Sequence, residues 1–274
     1  MTPSSAAGPD PADRETTPAS DLGISVRFVG HATTLIELGG VRVLTDPFLR
    51  SRLGPLQRHG PLPDPDQLAA DVVVVSHGHP DHFDEQSLER LPGSPIIVVP
   101  RGLGARCRRA AGRMPVVEVG AGEAIDVRGV TVEAVPARHW ISPGAPRATP
   151  VGYVFDAGPR VYFAGDTGRY PAMASAVGDV DVALIPVWTW GPHLGPGHLG
   201  PRSAAEVARD IAARAVVPIH WATLYPRQLH RVWRRPLAEP GERFAEFVHR
   251  VAPNVDVRVL RPGEATKIEP ERAR

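Results

Sequence analysis

A chain of 274 residues with 42% hydrophobic and 22% charged side chains can bury a substantial core and reads as one globular unit. A net charge of +1 gives no electrostatic argument for nucleic acid or an anionic membrane. A single cysteine, Cys107, excludes an internal disulfide and a multi-thiolate metal site.

Residues 1–22 are rich in Pro, Ser, Ala and Asp and lack the apolar core of a signal peptide, so a disordered tail is expected. No apolar run approaches the roughly 20 residues of a membrane span, and a cytoplasmic protein is the default expectation. The folded domain is expected over 23–262. Its first strands are Ile24–Val29, Thr33–Leu38 and Val41–Thr45, with Gly39-Gly40 marking a hairpin. Four prolines between 50 and 68 predict a loop, and Asp71–Ser76 the next strand. The pattern continues with a short helix over Asp84–Leu91, a strand at Pro95–Val99, a helix over Gly102–Ala111, and short strands at Val116–Val119, Glu123–Val127 and Val130–Val135. Cys107, among arginines on that helix, reads as structural. Val151–Phe155 and Arg160–Ala164 form a further hairpin, and Val182–Val187 is a buried-type strand.

Trp188–Gly200, rich in Gly, Pro, Trp and His, is a long loop of the functional kind. A helix over Arg202–Ala213, a strand over Val216–Ile219, helical spacing through Phe244, Phe247, Val248 and Val251, and a strand at Val255–Val259 complete the domain. Residues 263–274 are expected to be a flexible tail. The basic clusters Arg106–Arg109 and Arg231–Arg235 read as solvated faces, with phosphate binding the lesser alternative. Alternating sheet-rich and helical segments predict an α/β (α+β) fold, an αββα sandwich of two packed mixed sheets flanked by helices.

The chemistry is concentrated in His77-Gly78-His79-Pro80-Asp81-His82, which follows the apolar run Val72–Val75 and Ser76. Imidazole and carboxylate are the ligands zinc takes when thiolate is missing. A polar loop after a buried strand is the bland alternative, and three histidines with an aspartate in six residues outweigh it. His139, Asp166 and His220 each follow an apolar strand. Taken singly they could be core histidines or a turn aspartate. Together with the first cluster they make seven ligands, a number that suits two metals.

These motifs resemble the metallo-β-lactamase superfamily, and the resemblance extends to a subgroup. Val29-Gly30-His31-Ala32-Thr33, Leu44-Thr45-Asp46-Pro47-Phe48, Pro136-Ala137-Arg138-His139-Trp140, Phe163-Ala164-Gly165-Asp166-Thr167-Gly168 and Ile219-His220-Trp221 are similar to segments of the N-acyl-phosphatidylethanolamine-hydrolysing phospholipase D family, in part shared with L-ascorbate-6-phosphate lactonases. The resemblance implies two divalent ions, zinc first, with manganese or iron(II) compatible. His77, His79 and His139 would hold one, Asp81, His82 and His220 the other, and Asp166 would bridge them. It further implies a hydrolase in which two cations share a hydroxide, Asp81 orients it, and His198 approaches the substrate as oxyanion stabiliser or proton donor. Asp46 would accept hydrogen bonds behind the ligands, and His31 would pack beneath the site. His193 and the tryptophans at 140, 188, 190 and 221 are given no contact. Two dications against two carboxylates and a hydroxide favour an anionic substrate.

A phosphodiester is the first reading, as a small-molecule or lipid-like ester. The Gly/Pro-rich character of Trp188–Gly200 and the missing amphipathic segment in 1–22 weigh against a lipid. A lactone or carboxylic ester is the alternative on the same site. A metal-binding sensor or assembly protein without turnover is the non-enzyme reading, and an iron oxidoreductase is weaker still. No basic groove points to nucleic acid.

Overall fold

A computed structural model describes residues 23–141, 148–189, 195, 197–232 and 234–269. The tail expected over 1–22, together with Trp190 and His193, lies outside the described residues. Strands β1 (Ile24–Gly30), β2 (Thr33–Leu38) and β3 (Val41–Thr45) run as an antiparallel meander. Two short strands follow, β4 (Arg52–Leu53) and β5 (Leu56–Arg58), then a 3-10 turn at Pro65–Leu68. The region expected to be plain loop is therefore partly paired. Its strands are two and three residues long, too short to show a period.

Beyond it come β6 (Val72–Val74), α1 (Glu85–Leu88), β7 (Ile96–Pro100), α2 (Gly104–Ala111) and β8 (Val116–Val119). The second half holds β9 (Ala124–Val127), β10 (Val130–Pro136), β11 (Val151–Asp156), β12 (Arg160–Phe163), α3 (Met173–Val177) and β13 (Val182–Pro186). It ends with α4 (Pro201–Asp210), β14 (Ala215–Ile219), β15 (Leu224–Pro226), α5 (Arg235–Val251), β16 (Asp256–Val257) and β17 (Ala265–Ile268). The stretch expected to be a flexible tail from 263 thus supplies β17, which pairs with β1 from Ile24↔Ile268 to Arg27↔Ala265. The last helix starts at Arg235, well ahead of the apolar spacing that announced it.

The sheets are two, of seven strands each, in the orders β17-β1-β2-β3-β6-β7-β8 and β16-β14-β13-β12-β11-β10-β9. In both, an antiparallel part joins a parallel part, at β3/β6 in the first and β12/β13 in the second. A small third sheet, β15-β5-β4, ties the chain after β14 to the region after β3.

Alternation along a strand sends neighbours to opposite faces. Val72 and Val74 join the core between the large sheets, whereas Val73 and Val75 join a second layer with Leu88, Leu103 and Cys107 of the α1 and α2 region. β13 is buried at all five positions because the second sheet is covered on both faces, with Ala204, Ala208, Phe244 and Val248 of α4 and α5 in the same core. The mixed α/β sandwich expected from the sequence is the observed architecture. No helix among the described residues is long and apolar enough to cross a membrane.

Candidate metal centre

The polar residues gather where the strands end. Asp46 directly follows β3 with φ 35° and is fully buried. Its carboxylate accepts from the Ser76 backbone N–H at 2.7 Å, the Ser76 hydroxyl at 2.6 Å and His82 Nδ1 at 2.6 Å. The hydrogen bonds expected of Asp46 are thus present, and they join the ends of β3 and β6. The 77–82 loop closes as a tight turn, with Phe83 N–H on His79 O at 2.7 Å. His77 Nδ1 donates to the Ser76 hydroxyl at 2.9 Å, so a relay runs from His77 through Ser76 to Asp46.

The second half holds its histidines differently. His139 Nδ1 donates to Gly197 O at 2.9 Å, and His220 Nδ1 donates to Trp188 O at 2.7 Å. With Nδ1 donating outward on His77, His82, His139 and His220, each Nε2 carries a lone pair turned inward. His79 presents Nδ1 instead.

Two facing groups result. His77 Nε2 and His139 Nε2 lie 2.9 and 3.0 Å from His79 Nδ1. His82 Nε2 and His220 Nε2 lie 3.2 Å apart, with Asp81 Oδ2 at 3.5 and 3.6 Å from them. Asp166 reaches both groups. Its Oδ1 is 3.4 Å from His220 Nε2, and its Oδ2 is 3.5 Å from His82 Nε2 and 4.0 Å from His139 Nε2. Tetrahedral ligands with bonds of about 2.0–2.1 Å stand about 3.3 Å apart, so these separations are those of donors around a cation. Lone pairs aimed at one another across about 3 Å would otherwise repel. The donor set fits divalent metal, and the described histidines and aspartates form a cluster able to bind it.

Charge agrees with geometry. Burial pushes His77 and His79 below the usual histidine range and His139 down to about 4, which disfavours a second proton on these rings. Burial opposes charge on Asp81 and Asp166, but the imidazoles around them, His82 for the first and His220 and His82 for the second, hold both carboxyls well below the usual range. Burial also works against a charged His82, yet Asp166, Asp81 and Asp46 hold it well above its ordinary value. The three carboxylates around His82 favour positive charge at that point of the cluster.

His31 is nearer the centre than the sequence suggested. Instead of packing beneath the site, its Nε2 donates to Asp81 Oδ2 at 2.9 Å, and its ring lies 3.9 Å from that of His220. Its backbone is fixed at both ends, N–H on Thr223 Oγ1 at 2.7 Å and O accepting from His220 N–H at 2.7 Å. His31 and His220 both adopt left-handed backbone, φ 60° and 63°. Non-glycine residues enter that region at a cost of order 1–3 kcal/mol, and they concentrate at functional sites. His198 Nε2 stands 3.7 Å from Asp166 Oδ2, while its Nδ1 donates to Gly195 O at 3.2 Å. Its side chain is part-exposed, so it sits at the mouth of the cluster. The indole of Trp140, next to His139, is 59% exposed, open to whatever approaches. Trp221 is buried instead, its Nε1 on Pro218 O at 2.9 Å.

A sandwich of two mixed sheets with a His/Asp cluster at the strand ends defines a class, the metallo-hydrolases. The chain belongs to the beta-lactamase superfamily, whose domain model matches residues 41–221. A UPF0173 metal-dependent hydrolase of Thermococcus kodakarensis is 31% identical over 89% of this chain and 100% of its own length. An N-acyl-phosphatidylethanolamine-hydrolyzing phospholipase D 1 of Caenorhabditis elegans is 32% identical over 76% of this chain and 66% of its own. The fold is shared with Igni18, a metallo hydrolase of Ignicoccus hospitalis, at TM-score 0.71 and 20% identity, covering 91% of this chain and 100% of that one. The protein is a metal-dependent hydrolase of the metallo-β-lactamase superfamily with a His/Asp metal site.

Proposed function

We propose that the protein is a dinuclear hydrolase that cleaves a phosphodiester in a small anionic substrate. The observation that carries this reading is the position of Asp166, one oxygen toward His220 and the other toward His82 and His139, between two groups of inward-facing donors. His77, His79 and His139 would hold one cation and Asp81, His82 and His220 the other, zinc first, with manganese or iron(II) compatible. Two cations there would supply a water acidified from a pKa of ~15.7 toward ~7 and an electrophile for the scissile oxygen, at a centre left positive by only two carboxylates.

The chain's own residues do the rest. Asp81, fixed by His31, orients the attacking water through its carboxylate. His198, with Nδ1 tied to Gly195 O, presents Nε2 to the leaving group, and a proton on that nitrogen passes to the departing oxygen. Five of the seven proposed ligands, His77, Asp81, His82, Asp166 and His220, are buried, which shields the reacting atoms from the protein side. The likeness to a relative named as a phospholipase D supports phosphodiester over carboxylic ester.

The test is metal analysis of the purified protein followed by a panel of phosphodiesters, lactones and carboxylic esters, with and without chelator. Chelation should abolish hydrolysis of bis(p-nitrophenyl) phosphate, and zinc or manganese should restore it. Turnover of lactones or carboxylic esters alone, by fully metallated protein, would replace the phosphodiester reading.

A further inference from the structure

Several arginines on this surface end on carboxylates: Arg50 on Asp84, Arg106 on Glu85, Arg169 on Asp210, Arg214 on Asp181 and Arg258 on Asp256. Arg227 and Arg231 line an open hollow of about 420 Å³ with Gln228 and meet no carboxylate among the described residues. Arg234, close by, spends its Nε on His230 O at 3.4 Å. Within the basic cluster read from the sequence as a solvated face, Arg231 borders this concavity, while Arg235 pairs with Glu239.

A second observation lies beside the same segment. His230, between the two arginines in sequence, stacks on His59 with ring centroids 4.2 Å apart. His59 Nε2 and the Tyr225 hydroxyl are buried and make no hydrogen bond among the described residues. Buried polar atoms are usually hydrogen-bonded, so these two are able to receive a ligand or a water. Burial, then the proximity of His230 and Arg234, push the His59 imidazole below its ordinary range. Chain geometry sets the place. The chain runs from His220 through β15 to Arg227 in seven residues, an extended reach of at most about 25 Å. The Tyr225 ring also meets Trp188, whose carbonyl holds His220, at 6.0 Å.

From this juxtaposition we infer that Arg227 and Arg231, backed by His59 and His230, form a phosphate-binding subsite on the approach to the metal centre. It would hold a phosphate group carried by a soluble substrate, through the paired N–H donors with which guanidinium grips phosphate oxygens. The subsite deepens the hydrolase reading and rests on it only for its use, since binding itself requires no metal.

The experiment is calorimetric titration of inorganic phosphate into the full chain, metal-loaded and chelated, for wild type, R227A/R231A and the control R113A. Binding should survive chelation, weaken at least about tenfold in the double variant, and stay unchanged in R113A. The double variant should keep wild-type kcat on bis(p-nitrophenyl) phosphate, which has no second phosphate. Its KM should rise at least about tenfold for a diester that carries a terminal phosphomonoester. Phosphate binding that is absent, equal in the double variant, or lost equally in R113A overturns the subsite. Arginine-dependent sedimentation with phosphatidylglycerol vesicles, without binding of inorganic phosphate, overturns it in favour of a lipid surface. Arginine-dependent phosphate binding in a protein that hydrolyses no diester leaves the subsite standing and removes the hydrolase reading instead.

Discussion

The two halves of the sandwich build the same cage by different means. In the first, the ligands are contiguous and are oriented by side chains: Asp46 takes His82, and Ser76 takes His77. In the second, His139 and His220 stand alone at the ends of separate strands and are oriented by main-chain carbonyls, those of Gly197 and Trp188. The first half is therefore open to point mutation of its supports. The second answers only to changes in loop conformation, because every residue type carries the same carbonyl.

The largest effect is expected inside the contiguous cluster. Asp81→Asn keeps the shape of the side chain but removes its charge and weakens its bond to His31. A fall in kcat of about 10²- to 10⁴-fold is expected, with metal content measured in parallel. Near-normal turnover in fully loaded Asp81→Asn would remove the orienting role. Asp46→Asn comes next, since one neutral amide must replace a carboxylate that receives three donors. Metal affinity, read by competition with a chromogenic chelator, should fall about 10- to 100-fold. Unchanged affinity would mean that the first half is as independent of side chains as the second.

Gly197→Ala probes the other half. Gly197 has φ 85°, and a Cβ there would come within 2.9 Å of Arg138 O and of His139 Cα. The substitution should shift the carbonyl that holds His139 and weaken metal binding by a few-fold to about tenfold, the lower part of the range for such supports. A Gly197→Ala protein as tight as wild type would show that His139 does not depend on that carbonyl.

The same contrast explains what the sequence made visible. Four ligand side chains in six residues after Val72–Val75 needed no structure to be noticed. His139, Asp166 and His220 were recoverable because each ends an apolar strand, and the structure brings all seven together. The carbonyl supports were not recoverable, since any residue at 188 or 197 could offer one. Nor was the bond from His31 to Asp81, which depends on left-handed backbone at the tip between β1 and β2. The third sheet escaped for a related reason. It pairs Leu224 with Arg58 and Pro226 with Leu56, far apart in the chain and too short for a period. Arg58, buried there, donates to Arg50 O at 3.1 Å and to Phe48 O, knitting the first hairpins to a segment that proline content alone assigned to loop.

The smallest effect is expected at the one chemically reactive group the first half keeps away from the cage. Cys107 lies fully buried in the layer with Leu88 and Val99, and burial pushes its thiol up to about 12. The thiolate is the reactive form, so the native protein at pH 8 should resist iodoacetamide and retain full activity through the treatment. Reaction should appear in step with unfolding by denaturant. The sign of the pH effect follows from the same shift. The unfolded thiol ionises near 8.5 while the folded one keeps its proton, so the contribution of Cys107 to stability is whole below that value and declines as pH rises toward 12. Cys107→Ala should flatten that alkaline decline and leave turnover alone. Rapid alkylation of the folded protein, or inactivation by it, would show that the layer beneath the first sheet is open and that the cluster 77–82 stands on a looser support than its hydrogen bonds imply.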